Sequence, residues 1–147
     1  MKSSLVKLPV IFLAVGLIFS YSEMWGADWK LYTSTPNGEF FYDSKSIYYN
    51  AEDNFVRVVS KVVYSEKMKK DLKEKQGKAY ENVTHNSFTY EFDCKDKKYR
   101  LLEINIWSGE NLLLGPIPIV KGGPIDSGWQ SFAKFSPLDF LYEAVCK

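Results

Sequence analysis

Two thiols, Cys94 and Cys146, and one imidazole, His85, are the most chemically specialised side chains of this 147-residue sequence. A general-base centre on His85 would need a second catalytic group within hydrogen-bond reach, and no partner is identifiable from spacing. His85 stands between Thr84 and Asn86 at the entrance to an alternating run, the setting of a partly exposed loop histidine. A zinc site made from two thiolates and this one histidine lacks a fourth protein ligand and would compete with a disulfide. Redox chemistry is no better supported, because neither cysteine belongs to a CxxC pair. Glu91 and Asp93 share one face of an alternating segment, as paired catalytic carboxylates would, yet carboxylates alternating on the solvent face of a strand are common. The stretch KGGP at 121–124 lacks the GK[ST] ending of a phosphate loop and reads as a turn. No catalytic, cofactor-binding or metal-ligating residue is assigned, and a non-enzymatic role is expected. The cysteines remain as a structural pair.

The pairing depends on the compartment, which the first residues address. Lys2 and Lys7 give a positive start, residues 8–19 form a nearly unbroken apolar run, and small residues follow. That is the layout of a secretory signal peptide over residues 1–27. The run is shorter than the roughly 20 apolar residues of a membrane-spanning helix, so no transmembrane anchor is expected in the mature chain. No cysteine follows the run to accept a lipid. The expected product is exported, periplasmic or secreted, and begins near Asp28.

Losing Lys2, Lys7 and Glu23 with that segment leaves 17 basic and 17 acidic residues. This balance argues against nucleic acid as a partner, since such domains usually carry a basic excess. Residues 28–147 suit one domain, and a hydrophobic content of 46% over the whole 147-residue sequence is enough for a packed core. In an oxidising compartment its two cysteines can form a single intramolecular bridge.

The elements that would position them read as an α+β fold: a small antiparallel β-sheet of about six strands with a C-terminal helix packed on one face. DWKLYTS alternates Trp29, Leu31 and Thr33 against Lys30 and Tyr32, and TPNGE supplies a reversal. EFFYDSKSIYY reads as two short strands around the polar DSKS. FVRVVSKVVY is the strongest strand signal, with Arg57, Val59, Lys61 and Val63 on a mixed, solvent-side face. Residues 65–78 have a Ser65 cap, good helix formers and Met68 and Leu72 spaced i, i+4, until Gly77; a short exposed helix or a charged loop fits.

Phe88, Tyr90, Phe92 and Cys94 then point one way along a half-buried strand, and YRLLEINIW returns with Leu102, Ile104 and Ile106 on one face. A further strand is expected at NLLLG, and the Pro- and Gly-rich residues 116–128 read as a long irregular loop. In FSPLDFLYEAVCK, Ser136 caps a helix, Pro137 suits its first position, and Leu138, Leu141, Tyr142, Val145 and Cys146 form one apolar stripe. Cys94 and Cys146 both fall on buried faces, so a bridge between them would fasten the last helix to the sheet.

Trp29 with EFFYDSKSI, the valine strand bearing an arginine, the YEFDCKDKKYRLLE hairpin, Trp129 and SPLDFLYEAVCK together resemble the surface-adhesin protein E-like family of exported bacterial domains. The resemblance implies an antiparallel sheet on a C-terminal helix, linked cysteines, and adhesion to host extracellular-matrix proteins. The absent lipid-acceptor cysteine departs from a lipid-anchored adhesin.

The candidate binding surface comprises Tyr48, Tyr49, Lys69, Lys70, Lys73, Trp107 and Trp129. Aromatic side chains bring large contact area at low entropic cost, and the lysines could face an anionic partner. The alternatives are a core role for the tryptophans and a solvated helix face for the lysines, which exposure would distinguish. The expected function is an exported, disulfide-stabilised binding or adhesion module engaging an extracellular-matrix or envelope macromolecule. Its alternative is a periplasmic structural or assembly subunit.

Overall fold

A computed structural model describes residues 26–119 and 128–147. Most of the expected signal peptide, and the middle of the expected 116–128 loop, lie outside the described residues. Seven strands form one antiparallel sheet: β1 (Trp29–Thr35), β2 (Gly38–Asp43), β3 (Tyr48–Asn50), β4 (Phe55–Tyr64), β5 (His85–Asp93), β6 (Lys98–Ser108) and β7 (Asn111–Pro118). Their order is β1-β2-β4-β5-β6-β7. The short β3 pairs with the start of β4, whose other end pairs with β2. Two helices complete the fold, α1 (Glu66–Gln76) between β4 and β5 and α2 (Pro137–Val145) at the C-terminus.

Alternation along β4 decides which face is buried. Val56, Val58, Ser60 and Val62 are buried, and in register they oppose Phe92, Tyr90, Phe88 and Asn86 of β5. Directly opposed residues share a face, so these pairs make the inner surface. The α2 stripe settles there: Leu141, Tyr142 and Val145 join Val56, Val58 and Phe92 in the core, with Leu138 and Cys146 packed against it. Each such aliphatic or aromatic side chain contributes about 1.5–3 kcal/mol when fully buried.

Local chemistry starts α2 where it does. The Ser136 hydroxyl accepts from the Asp139 N–H, Pro137 needs no hydrogen-bond partner in the first turn, and the Asp139 carboxylate accepts from the Phe135 N–H. At the other end Cys146 is bonded to Cys94, with the two Cα atoms 5.5 Å apart. The Tyr142 hydroxyl donates to the Cys94 carbonyl oxygen at 2.7 Å beside that bridge. Two independent ties therefore hold the last helical turn to the end of β5.

Two of the sheet's register shifts correct the simple alternations. In β1 the register shifts at Tyr32, so Leu31 opposes Phe41 whereas Thr33 opposes Phe40 on the other face. Tyr32 and Thr33 therefore both face inward, and the Tyr32 hydroxyl meets Ser60 Oγ at 3.0 Å. In β6 the insertion falls at Leu102, so Leu101 opposite Tyr90 and Ile104 opposite Phe88 both face inward. One extra residue reverses the parity of everything beyond it.

Residues 116–118, assigned to the loop by composition, extend β7 instead. Among the described residues β7 has a partner on one side only, and an edge strand can hold proline because its outward N–H groups need no ladder bond. The segment 65–78 resolves as helix, with Ser65 accepting from the Met68 N–H and Gly77 closing α1 at a φ of 89°. Gly77 adopts a conformation that a Cβ would disfavour.

Candidate binding face

The face opposite α2 is built from the other parity of the same strands. Its rows follow from register: Arg57–Glu91–Arg100, Val59–Thr89–Glu103, Phe41–Lys61–Ser87–Asn105 and Val63–His85–Trp107. Polar residues dominate the middle of each row, so this surface is suited to water or to a polar partner rather than to a second apolar layer.

At the end nearest the disulfide, the outer face closes over itself. Glu91 is only 7% exposed and accepts from Arg57 Nη2 at 3.0 Å and from Arg100 Nε at 2.8 Å. This overturns the expectation that Glu91 is a solvent-face carboxylate: two cross-strand arginines neutralise it, which a buried charge requires. Trp129 lies over the Arg100 guanidinium, 4.5 Å from its ring centroid, and packs on Phe55 at 4.7 Å. It is delivered by an isolated bridge between Gln130 and Tyr99 beyond the end of β7. Phe132, three residues on from Trp129, packs on Phe92 and Tyr142 in the core. The chain thus clasps the β6 edge from both faces. Asp93 has a local role, accepting from the N–H groups of Lys95 and Asp96 in the hairpin turn.

Farther along, the outer face opens into a groove of about 660 Å³ between Trp29 of β1 and Trp107 of β6. Val59, Lys61, Ser87, Thr89, Glu103 and Asn105 contribute to its lining, with His85 and Glu110 near the Trp107 end. The Trp107 indole is fixed by two contacts. Its Nε1–H donates to Ser87 Oγ at 2.9 Å, and its ring is nearly parallel to that of His85, with centroids 5.8 Å apart. His85 Nδ1 in turn meets Thr84 Oγ1 at 3.0 Å. The Asn105 amide donates to Glu103 at 2.9 Å.

Opposite Trp107, the Lys61 ammonium lies 4.1 Å from the Trp29 ring centroid, a cation–π contact. No carboxylate forms an ion pair with it among the described residues. Burial lowers the Lys61 pKa from its ordinary value, and burial together with the Lys61 charge lowers that of His85. The groove presents one ammonium, a neutral-leaning imidazole and two carboxylates. Among the described residues no cluster of three or more His, Cys, Asp or Glu side chains could hold a metal ion.

The family model for surface-adhesin protein E matches residues 29–147. The chain belongs to the surface-adhesin protein E family. No curated protein and no solved structure matches it. In this family member the bridge, the antiparallel sheet and the C-terminal helix are all present.

The adhesin fold distributes the seven candidate surface residues over several regions. Trp107 lies in the groove. Tyr48 opposes Arg57 and stands on the same outer face, 61% exposed, toward the Trp129 end. Tyr49 opposes the inward-facing Val56 and, 55% exposed, lines a separate depression of about 330 Å³ beside the disulfide. Lys69, Lys70 and Lys73 on α1 pair with Glu66, Glu74 and Glu81. The groove residues Trp29, Lys61, Glu103 and Asn105 were not singled out by sequence. Their signal was alternation on several strands at once, which becomes legible only when β1, β2, β4, β5 and β6 are placed in register.

Proposed function

We propose that this chain is an exported, non-enzymatic binding module that engages an extracellular-matrix or envelope macromolecule through the outer face of its sheet. The carrying observation is the asymmetry of the two faces. α2 and the disulfide seal one, while the other is an open groove with an indole at each side. The family name supports adhesion, and a disulfide is typical of oxidising compartments. No helix among the described residues is long and apolar enough to cross a membrane. Trp107 is the principal anchor in this reading, and Tyr48 extends the surface along the same face, whereas Trp129 is committed to covering Arg100. The three α1 lysines, already paired with glutamates, are peripheral to it.

The test is capture on immobilised matrix extract and on envelope fractions, comparing the mature chain with Trp107→Ala and Lys61→Glu. Saturable binding weakened at least tenfold in both variants is expected. Absence of saturable binding, or binding indifferent to both substitutions, would reject the reading.

A second reading, an envelope assembly subunit, is favoured by one feature. Among the described residues β7 is an edge strand, and its Leu112, Leu113 and Leu114 are exposed. Exposed apolar edges are templates for pairing with another chain. A monomer by light scattering with no cross-linked envelope partner would eliminate it.

A further inference from the structure

We infer that the groove between Trp29 and Trp107 takes an uncharged pyranose unit of a glycan, an assignment that rests on the outer face being the binding surface. The Trp107 indole is preset. Ser87 and His85 fix the Trp107 ring before any ligand arrives, so the flat apolar face it offers costs little ordering on binding. A sugar ring has a matching apolar face of C–H groups and a rim of hydroxyls.

The chemistry between the indoles matches the hydroxyl rim of a sugar. Thr89, Asn105, Glu103 and Lys61 combine donors and acceptors in one patch. Each hydroxyl of a sugar both donates and accepts, so neighbouring hydroxyls can satisfy such a mixture. A fully apolar ligand would instead leave these polar groups desolvated and unpaired.

Charge sets the subclass. Lys61 is outweighed by Glu103 and Glu110, so a sulfated or otherwise polyanionic chain meets no net attraction there. Topology disfavours an extended peptide. The groove floor is formed by β4, β5 and β6 in the interior of the sheet, and the Val59 N–H, which falls between the β2 and β3 pairings of β4, donates to Ser46 Oγ instead, so the floor leaves no main-chain ladder for a peptide to complete. Its volume of about 660 Å³ falls within the usual range for ligand sites.

The experiment is tryptophan fluorescence of the intact mature chain, titrated with neutral tri- to hexasaccharides built from glucose, galactose or N-acetylhexosamine. A sulfated oligosaccharide of equal length is run in parallel. At least one neutral sugar should give a saturable change, weakened at least tenfold by Trp107→Ala and by the floor variant Asn105→Ala. Near-ultraviolet circular dichroism selects folded variants, and Trp107→Phe substitutes if Trp107→Ala does not fold. No response to any neutral sugar up to about 10 mM, a Kd weaker than about −3 kcal/mol of binding, would overturn the assignment. So would preference for the sulfated chain, or binding unaffected by both variants. Capture of matrix extract before and after enzymatic deglycosylation separates the two layers of the argument. Capture lost on deglycosylation supports the sugar. Capture that survives it, yet disappears in Trp107→Ala, overturns the sugar and leaves the groove as a protein-binding surface.

Discussion

The Lys61 ammonium lies 4.1 Å from the Trp29 ring centroid and 5.5 Å from that of Phe41. One side chain of β4 thereby contacts aromatic residues of β1 and β2 and forms a wall of the outer groove. An aromatic surface can hold a half-desolvated cation without a carboxylate, which leaves hydrogen-bonding capacity on the ammonium for a ligand.

The disulfide closes a segment with a sequence separation of 52 residues. Chain-entropy arithmetic assigns such a loop about 4 kcal/mol, a large share of the roughly 5–15 kcal/mol typical of a domain. Replacing both Cys94 and Cys146 by Ser is expected to lower the denaturation midpoint markedly, by an amount equivalent to about 2–4 kcal/mol. Urea unfolding of the double variant checks this, and an unchanged midpoint would show that the bridge contributes nothing.

Glu91 sits between Arg57 and Arg100 under Trp129. Removing it with Glu91→Ala leaves two cations facing each other at the covered end of the sheet. The arginines keep some access to solvent, so the expected loss is about 2 kcal/mol, below that for a fully buried pair. Thermal unfolding measures it, and Glu91→Gln should retain part of the stability through its remaining acceptor.

Gly38 begins β2 where the chain presses on β4. A Cβ there would lie 2.2 Å from the Val63 carbonyl oxygen, and φ is 157°. Gly38→Ala must therefore push β2 off β4, with an expected cost of about 2 kcal/mol or more. Hydrogen exchange at Phe40 and Val62, paired across this junction, should accelerate relative to β5 and β6. Unchanged protection would refute the clash.

Alkaline stability follows from the buried phenols. Burial pushes Tyr32 and Tyr64 up to about 12 and raises Tyr90 as well. The unfolded chain loses these protons near the ordinary value of 10.0, so it binds fewer protons than the folded chain between about pH 10 and 12. Stability should fall as pH rises through that window. Phenolate absorbance and far-ultraviolet circular dichroism, followed together, should show a late tyrosine class that ionises only as the fold is lost. Complete ionisation with the fold intact would contradict this.

Much of the fold was legible because β4, β5 and α2 carry unbroken periodic patterns. Val56, Val58 and Val62 alternate without interruption, and the Leu138 to Cys146 stripe needs only the helical period. The bulges at Tyr32 and Leu102 were not legible, since an extra residue is defined by the partner strand as much as by its own. The same limit hid Glu91 and the groove. Arg57 is 34 residues from Glu91, and although Arg100 lies on the same hairpin as Glu91, only the register of three strands makes all three neighbours; Trp29 and Trp107 become the two sides of one groove for the same reason. Prolines at 116 and 118 read as loop because composition does not reveal that β7 is an edge.

The groove's role as the binding surface can be read at three indoles. Trp29, Trp107 and Trp129 are the tryptophans of residues 28–147, and each gives its own indole N–H signal in a nitrogen-15 labelled chain of those residues. On titration with soluble matrix extract or with a neutral oligosaccharide from the panel, the Trp29 and Trp107 signals should shift or broaden saturably while Trp129, stacked on Arg100, stays in place. Perturbation of Trp129 with Trp29 and Trp107 unmoved, or no perturbation of any of the three, would contradict the account.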